Sequence, residues 1–275
     1  MSVPGPTAIA VTPTGGRRTK VGHPAIPLTP AEHAYAVATC LEAGACMVHL
    51  HVRRADGRHL LDPDAYADAT SAIRAATRDA VVVQITSEAL GLYAPDEQMA
   101  VVRAVRPEAV SRALRELAPD AASEKAFGPF REWLRRESVV PRIILYAPDE
   151  AVRLAALQAS GVVPFDAVPV LYVLGRYTVG QTSTPSDLLP FLAPTQPSAS
   201  HWMACAFGRH ENACVTVAAL LGGHLRVGFE NNLLNPDGTT ARANAELVAS
   251  AAATVTASGG RPASAAQLRS GWDLR

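Results

Sequence analysis

Short apolar segments recur along the chain and are separated mostly by stretches with helical periodicity. The eight segments are residues 8–12, 46–52, 80–86, 109–111, 141–146, 168–174, 202–207 and 225–230. Apart from the fourth, which is weak, they are almost continuously apolar, as is typical of parallel strands covered on both faces. The pattern predicts eight parallel strands that alternate with helices.

Helix start and stop signals lie between these segments. Thr29, Pro30 and Glu32 fit a capping box with proline at the first helical position, and Asp62 precedes a second helix that begins with proline. Further helices are predicted near Pro148, over residues 209–221 and over residues 240–257, with a connecting loop at 185–200. The alternation predicts one (β/α)8 TIM barrel domain over residues 1–275, with a doubly wound open sheet as the alternative.

Composition narrows the classes of function. The chain has 275 residues, of which 48% are hydrophobic, and its 25 Lys and Arg balance 25 Asp and Glu. Without a basic excess, we expect no nucleic-acid partner, and without an 18-residue apolar run we expect no membrane span. No signal peptide is visible in residues 1–6. The cysteines stand in mostly apolar surroundings without a C-x-x-C pair, which predicts buried thiols in a reducing cytoplasm.

The most informative local feature is the pair His49 and His51 in an apolar run. Residues two apart in a strand point to the same face, so two imidazoles project side by side. Such a pair suits a metal ion. The alternative is a pair of buried histidines that only make structural hydrogen bonds.

A carboxylate in the eighth segment is placed to complete this site. Arg226, Gly228 and Glu230 share one face of the predicted strand, and barrel closure brings that strand beside the first and second. Two histidines and one carboxylate leave coordination positions open, as in catalytic metal sites. Zinc is the default ion, with Fe(II), Mn(II) and Co(II) also open. The alternative role for Glu230 is a buried pair with Arg226.

Two motifs, H-L-H-V-R at 49–53 and G-G-H-L-R-V-G-F-E at 222–230, resemble those of the β-keto acid cleavage enzymes. Supporting matches are P-T-G-G at 13–16, V-Q-I-T at 83–86 and N-A-E-L-V at 244–248. The resemblance implies a barrel that binds zinc or another divalent ion through His49, His51 and Glu230. It also implies a reaction in which a β-keto acid and acetyl-CoA give acetoacetate and a new acyl-CoA.

The resemblance also implies roles for single residues. Arg226 matches the arginine of the family's catalytic Arg/Asp dyad, and Asn231 occupies the position of the aspartate. Thr86 matches a serine that holds the substrate carboxylate, and Ser111 matches a nearby threonine. Because an amide does not take up a proton at neutral pH, Asn231 puts the family's proton relay in question.

Other departures from the family pattern concern the substrate. The turn at 87–89 reads Ser-Glu-Ala where the family has Thr-Gly-Gly, so Glu88 is expected to crowd or repel a substrate carboxylate. Arg17 and Arg18 lie in the stretch where a member of this family with a cationic substrate has an acidic residue, and Arg142 stands where that member has glutamate. We therefore expect a substrate with a neutral or anionic distal end, read by one of these arginines. The alternative for each arginine is surface solvation.

Gly208 and Arg209 follow the seventh segment, where barrels often bind phosphate, and are predicted either to hold part of coenzyme A or to form a tight turn. A homo-oligomer in the cytoplasm is expected, with small-molecule partners only. The alternative functions are another metal-dependent carbon–carbon lyase, aldolase or hydrolase on the same barrel, and a binding barrel without catalysis.

Overall fold

The computed structural model describes residues 5–117, 121–165 and 167–272. Its strands are β1 (Ile9–Val11), β2 (Met47–Leu50), β3 (Val52–Arg53), β4 (His59–Leu60), β5 (Val82–Thr86), β6 (Ala109–Ala113), β7 (Val140–Leu145), β8 (Val170–Leu174), β9 (Trp202–Ala206) and β10 (His224–Val227). All except β3 and β4 form a closed parallel barrel in the order β1-β10-β9-β8-β7-β6-β5-β2. The predicted barrel is confirmed, and the open-sheet alternative is wrong.

Helices connect the barrel strands. They are α1 (Pro30–Glu42), α2 (Pro63–Thr77), α3 (Pro95–Val105), α4 (Leu114–Leu117), α5 (Ala121–Arg136), α6 (Pro148–Ala159), α7 (Glu211–Leu220), α8 (Asn244–Ala257) and α9 (Ala265–Trp272). The capping box that begins α1 is confirmed: Thr29 and Glu32 bond to each other's backbone N–H. The predicted start of α2 is confirmed as well, because the Asp62 side chain accepts from the backbone N–H of Ala65.

The alternation of side chains along each strand divides the core into two sets. Val48 and Val83 point outward and pack with residues of the surrounding helices, whereas Met47, Leu171 and Met203 belong to the cluster inside the barrel. Because both faces are buried, the barrel strands are apolar on both sides, which explains their nearly continuous apolar sequences.

Several predicted boundaries are wrong. The helix expected over 209–221 spans Glu211–Leu220, and that expected over 240–257 begins only at Asn244 because Thr240 pairs with Leu234 in an isolated bridge. The loop expected at 185–200 contains a 3₁₀ helix, Pro185–Phe191.

Two predicted strands are also shorter than expected. The eighth barrel strand ends at Val227 because Gly228 turns the chain with φ of +138°. The second ends at Leu50, since Val52 pairs with Leu60 outside the barrel.

The last helix covers the N-terminal end of the barrel. Leu268 and Trp272 of α9 pack into the interior cluster, and Arg269 bonds to Glu108 at 2.7 Å (Nε to Oε2). The four cysteines are buried and carry free thiols, as expected. None of the helices in the described ranges combines the length and apolar character needed to cross a bilayer. The opposite end of the barrel, at the C-terminal ends of the strands, is not covered by α9 and is surrounded by loops.

Candidate active site

Three potential metal ligands meet at the C-terminal end of the barrel. His49 lies on β2, His51 follows it, and Glu230 follows β10. The Nε2 atoms of His49 and His51 are 3.1 Å apart, and they lie 3.8 and 3.6 Å from Oε2 of Glu230. One ligand atom from each residue falls within 4.8 Å of the other two. The side chains that the sequence placed together are therefore adjacent in the fold.

Strand β1 joins the two halves of this site, since it pairs with β2 on one side and β10 on the other. Thr12 directly follows β1, and its hydroxyl donates to the Glu230 carboxylate. Gly15 lies so close that an added Cβ would stand 2.5 Å from Cγ of Glu230, and its φ is +67°. Glycine at this position makes room for the glutamate side chain.

The turn that carries Glu230 is held by two buried side chains from other helices. Glu211 of α7 accepts from the backbone N–H of Gly228 at 3.2 Å and from Nδ2 of Asn232 at 3.3 Å. Asn244 of α8 accepts from the N–H of Phe229 at 2.8 Å. Sequence reasoning missed the role of Glu211; its only local signal is a carboxylate in the first turn of an otherwise apolar helix.

The two imidazoles have different partners at Nδ1. His49 Nδ1 lies 3.2 Å from Oε1 of Gln84 on β5, so an N–H at Nδ1 donates to the amide oxygen and leaves a lone pair at Nε2. Nδ1 of His51 lies 4.0 Å from Oε2 of Glu88. Gln84 belongs to a recognised motif, yet its sequence position gave no reason to name it as a partner of His49.

The electrostatics of His49 and Glu230 suit a divalent cation. Burial, together with the charge of Arg226, holds the pKa of His49 well below its usual value, so the imidazole is neutral. Burial tends to raise the pKa of Glu230, but Arg226 and the two histidines outweigh it and hold that pKa well below its usual range. Neutral imidazole nitrogens and an ionised carboxylate are the ligands that Zn²⁺ and its first-row neighbours prefer.

Arg226 lies beside the triad inside the barrel. Its Nη2 is 3.4 Å from Oε1 of Glu230 and 3.2 Å from Sγ of Cys205. Burial tends to lower its pKa, but Cys205 and Glu230 raise it, and the net direction is upward. A fixed positive charge therefore faces the same space as the three ligand atoms. The proposed ion pair and the metal site are compatible, since Arg226 and the histidines approach different oxygens of Glu230.

The other predicted site residues lie around this centre. Asn231 is fully buried, and its Nδ2 is 3.9 Å from the Cys205 thiol that also contacts Arg226. The Thr86 hydroxyl accepts from the N–H of Glu88 at 3.0 Å, which leaves its own proton free to donate. Ser111 lies in register beside Thr86 on β6, and its hydroxyl has no hydrogen-bond partner among the described residues.

The arginines occupy three different environments. Arg17 is exposed and Arg18 is half-buried at the mouth of the barrel, near Glu88 and Glu230. Surface solvation is wrong for Arg142, which is fully buried on β7, with Nη1 2.9 Å from Sδ of Met203. Successive side chains of a strand point to opposite faces, and the next residue, Ile143, faces the helices. Arg142 therefore points into the barrel.

Arg176 was not identified from the sequence. It follows β8 and lines the mouth together with Arg18, and its guanidinium lies 5.2 Å from the centre of the Phe207 ring. Nothing in the local sequence distinguishes it from other loop arginines. Its position depends on where the loop folds over the barrel.

Gly208 and Arg209 lie in the turn before α7. Gly208 has a φ of +90°, and an added Cβ would stand 2.7 Å from the Gln181 carbonyl oxygen. Its N–H donates to the Asn231 carbonyl at 3.2 Å, and the Arg209 side chain is exposed. These contacts make Gly208 part of the turn that holds Asn231, while Arg209 is free to meet a ligand at the surface.

The buried carboxyl of Glu211 makes the free energy of unfolding depend on pH. Burial raises its pKa from 4.5 to about 8, so between these pH values the folded protein holds a proton that the unfolded chain has lost. The Glu211 contribution to the free energy of unfolding is therefore complete below pH 4.5 and falls by roughly 4 kcal/mol as the pH rises to about 8. Glu211→Gln should flatten this part of the profile in denaturant titrations. Glu132→Gln, at an exposed carboxylate, serves as the control, and equal profiles for both variants would contradict the assignment.

Comparison with known proteins identifies the family of this chain. The family model of the beta-keto acid cleavage enzyme matches residues 6–274. The 3-keto-5-aminohexanoate cleavage enzyme of Acetoanaerobium sticklandii is 30% identical over 242 residues, covering 85% of this chain and 86% of that protein. The 3-oxoadipate:acetyl-CoA acetyltransferase of Cupriavidus necator is 27% identical over 274 residues, covering 96% of this chain and 93% of that protein.

A solved structure shows the same fold. The ternary complex of ObcA with C4-CoA adduct and oxalate superposes with a TM-score of 0.72 at 19% identity, covering 91% of this chain and 68% of that one. The family match extends over almost the whole chain and includes both motifs that carry the site. The chain therefore belongs to the β-keto acid cleavage enzyme family.

Proposed function

We propose that this enzyme catalyses a metal-dependent exchange between a β-keto acid and acetyl-CoA, which yields acetoacetate and a new acyl-CoA. The observation that carries the proposal is the convergence of His49, His51 and Glu230 within 4.8 Å beside the buried charge of Arg226. The names of the relatives, which include an acetyl-CoA acetyltransferase, support acetyl-CoA as the co-substrate.

We propose that the triad holds a divalent ion, with zinc expected and Fe(II), Mn(II) or Co(II) accepted by the same donors. When bound, the ion supplies a Lewis acid for a keto oxygen. Arg226 then stabilises negative charge that develops on the substrate, because its guanidinium is fixed, charged and shielded from water. The amide of Asn231 takes up no proton at neutral pH, so it does not act as a base. Its NH2 group instead orients a substrate oxygen by donating a hydrogen bond.

The hydroxyls of Thr86 and Ser111 are proposed to bind the substrate carboxylate. The support for Thr86 is its free hydroxyl proton, and the support for Ser111 is its buried hydroxyl without a described partner. Buried hydroxyls of this kind gain a partner when a carboxylate binds. Arg209, exposed in the turn after β9, is proposed to contact a phosphate of coenzyme A, with Gly208 shaping that turn.

The mouth of the barrel favours a substrate whose distal end is neutral or anionic. Arg18 and Arg176 line it, and neither forms a salt bridge with any described residue. Because like charges repel, these arginines disfavour a cationic distal end. The relative named for 3-oxoadipate, which ends in a second carboxylate, supports this choice of substrate class.

We also propose a reducing compartment such as the cytoplasm, which the buried free thiols support. The expected homo-oligomer stays a prediction that gel filtration would test.

The reaction is tested with acetyl-labelled acetyl-CoA and three β-keto acids that differ only in a neutral, anionic or cationic distal group. We expect labelled acetoacetate and the matching acyl-CoA by mass spectrometry, with the cationic substrate at least tenfold slower, about 1.4 kcal/mol. Turnover without acetyl-CoA would favour an aldolase or hydrolase. No turnover by the metal-loaded protein with any of the three would favour a barrel that binds without catalysis.

A further inference from the structure

Glu88 is held rigidly at the mouth of the barrel. Its backbone N–H donates to the Thr86 hydroxyl at 3.0 Å, and its carbonyl oxygen lies 2.7 Å from Nε2 of His59 on the neighbouring hairpin. These two contacts fix the backbone on both sides of the residue. The carboxylate itself is only partly exposed, and its Oε2 lies 4.0 Å from Nδ1 of His51.

The residue that faces this carboxylate is His51. Its Nε2 points to the other two members of the triad, at 3.6 Å from Oε2 of Glu230. Its Nδ1 is buried and makes no hydrogen bond to any residue in the described ranges, while Oε2 of Glu88 lies 4.0 Å away. A buried N–H without a partner is costly, and this gap closes with a small side-chain rotation or a bridging water.

Of the cations near Glu88, Arg53 is already engaged, whereas Arg18 and Arg176 line the same mouth and form no salt bridge with a described residue. The guanidinium of Arg53 donates to the carbonyl oxygens of Gly15 at 3.1 Å, Gly57 at 2.6 Å and Arg18 at 2.8 Å. It thus holds the loop at the mouth. Glu88 forms no salt bridge with an arginine or lysine among the described residues, which leaves its carboxylate available to His51.

We propose that Glu88 is a positioning residue that accepts the Nδ1–H of His51. This contact fixes the tautomer in which the Nε2 lone pair faces Glu230, and it strengthens the imidazole as a metal ligand. His49 makes the corresponding bond to the neutral amide oxygen of Gln84, which is a weaker acceptor than a carboxylate. The inference rests on the proposed metal site but is independent of the acyl-transfer reaction. It gives Glu88 a role other than repelling the substrate.

The test measures zinc affinity of the substrate-free protein by competition with a chelator. We expect Glu88→Ala to weaken zinc binding by about 10- to 100-fold, and Glu88→Gln to weaken it less because its amide oxygen still accepts. Glu116→Gln is the matched control: Glu116 accepts from the N–H of Ala89 in the same turn, at 3.3 Å, but has no contact with His51. Its zinc affinity should equal that of the wild type.

A second readout follows the His51 ring itself. In nitrogen-15 NMR of the zinc-bound protein, the wild type should carry its proton on Nδ1, and Glu88→Gln, which retains the side-chain volume, should shift that signal. Zinc affinity within twofold of the wild type in both Glu88 variants would overturn the proposal. If the wild type itself bound no zinc, the metal site and with it the proposed function would fail instead.

Discussion

His49→Ala is expected to abolish stable metal binding and with it the reaction. The substitution removes one of three protein ligands and leaves His51 and Glu230, which are too few to hold zinc at micromolar concentrations. We expect zinc to fall from about one ion per chain to almost none, and kcat/KM to fall by about a thousandfold or more, equivalent to about 4 kcal/mol. Metal analysis of the purified protein and steady-state kinetics measure the two effects.

A histidine at the other end of the barrel provides the control. His201 precedes β9 and packs near Trp272, with ring centres 6.5 Å apart. His201→Ala should retain zinc and activity. Thermal unfolding separates metal loss from misfolding, because His49 is buried and alanine leaves a cavity there. If both variants were folded and contained equal amounts of zinc, the assignment of His49 as a metal ligand would be contradicted.

Arg226→Gln is expected to lower kcat by about a hundredfold to a thousandfold while zinc remains bound. The guanidinium is the fixed positive charge beside the triad, and the loss of one preorganised stabilising group costs about 3 to 4 kcal/mol in the transition state. Since Arg226 contacts only Oε1 of Glu230 and the histidines face Oε2, the zinc ligands persist. Kinetics and zinc content are measured on the same preparation.

The variant Arg226→Lys shows whether the positive charge of Arg226 is sufficient or the planar guanidinium is also needed. Lysine retains the positive charge but has one nitrogen, which cannot reach both Glu230 and the substrate, so we expect only partial activity. A kcat for Arg226→Gln within tenfold of the wild type would remove Arg226 from the catalytic machinery. Loss of zinc in Arg226→Gln would instead assign it the role of holding Glu230.

Local patterns predicted the parts of the site that lie close together in sequence. His49 and His51 share a strand face whatever surrounds them, because side chains alternate along any strand. The capping box at Thr29 was equally readable, since all its atoms lie within one helical turn. The same parity rule placed Glu230 beside Arg226, although the strand ends at Val227 and Gly228 turns the chain.

Contacts between distant segments could not be predicted in this way. Gln84 meets His49 across 35 positions and Glu211 meets Gly228 across 17, and both contacts exist only because the barrel closes. An arginine in an apolar strand can point either to the helices or to the interior, so Arg142 was open until the register of β7 placed it inside.

The sequence by itself determined the alternation of strands and helices, the identity of the three proposed ligands and the family. These follow from repeats of two and 3.6 residues and from short motifs, which need no knowledge of the rest of the chain. The tertiary structure alone decided which polar groups surround the proposed ligands: Gln84 beside His49, Glu88 facing His51, and Thr12 and Glu211 around Glu230. Hydrogen bonds depend on distances of a few tenths of an ångström, and only the closed barrel sets those distances.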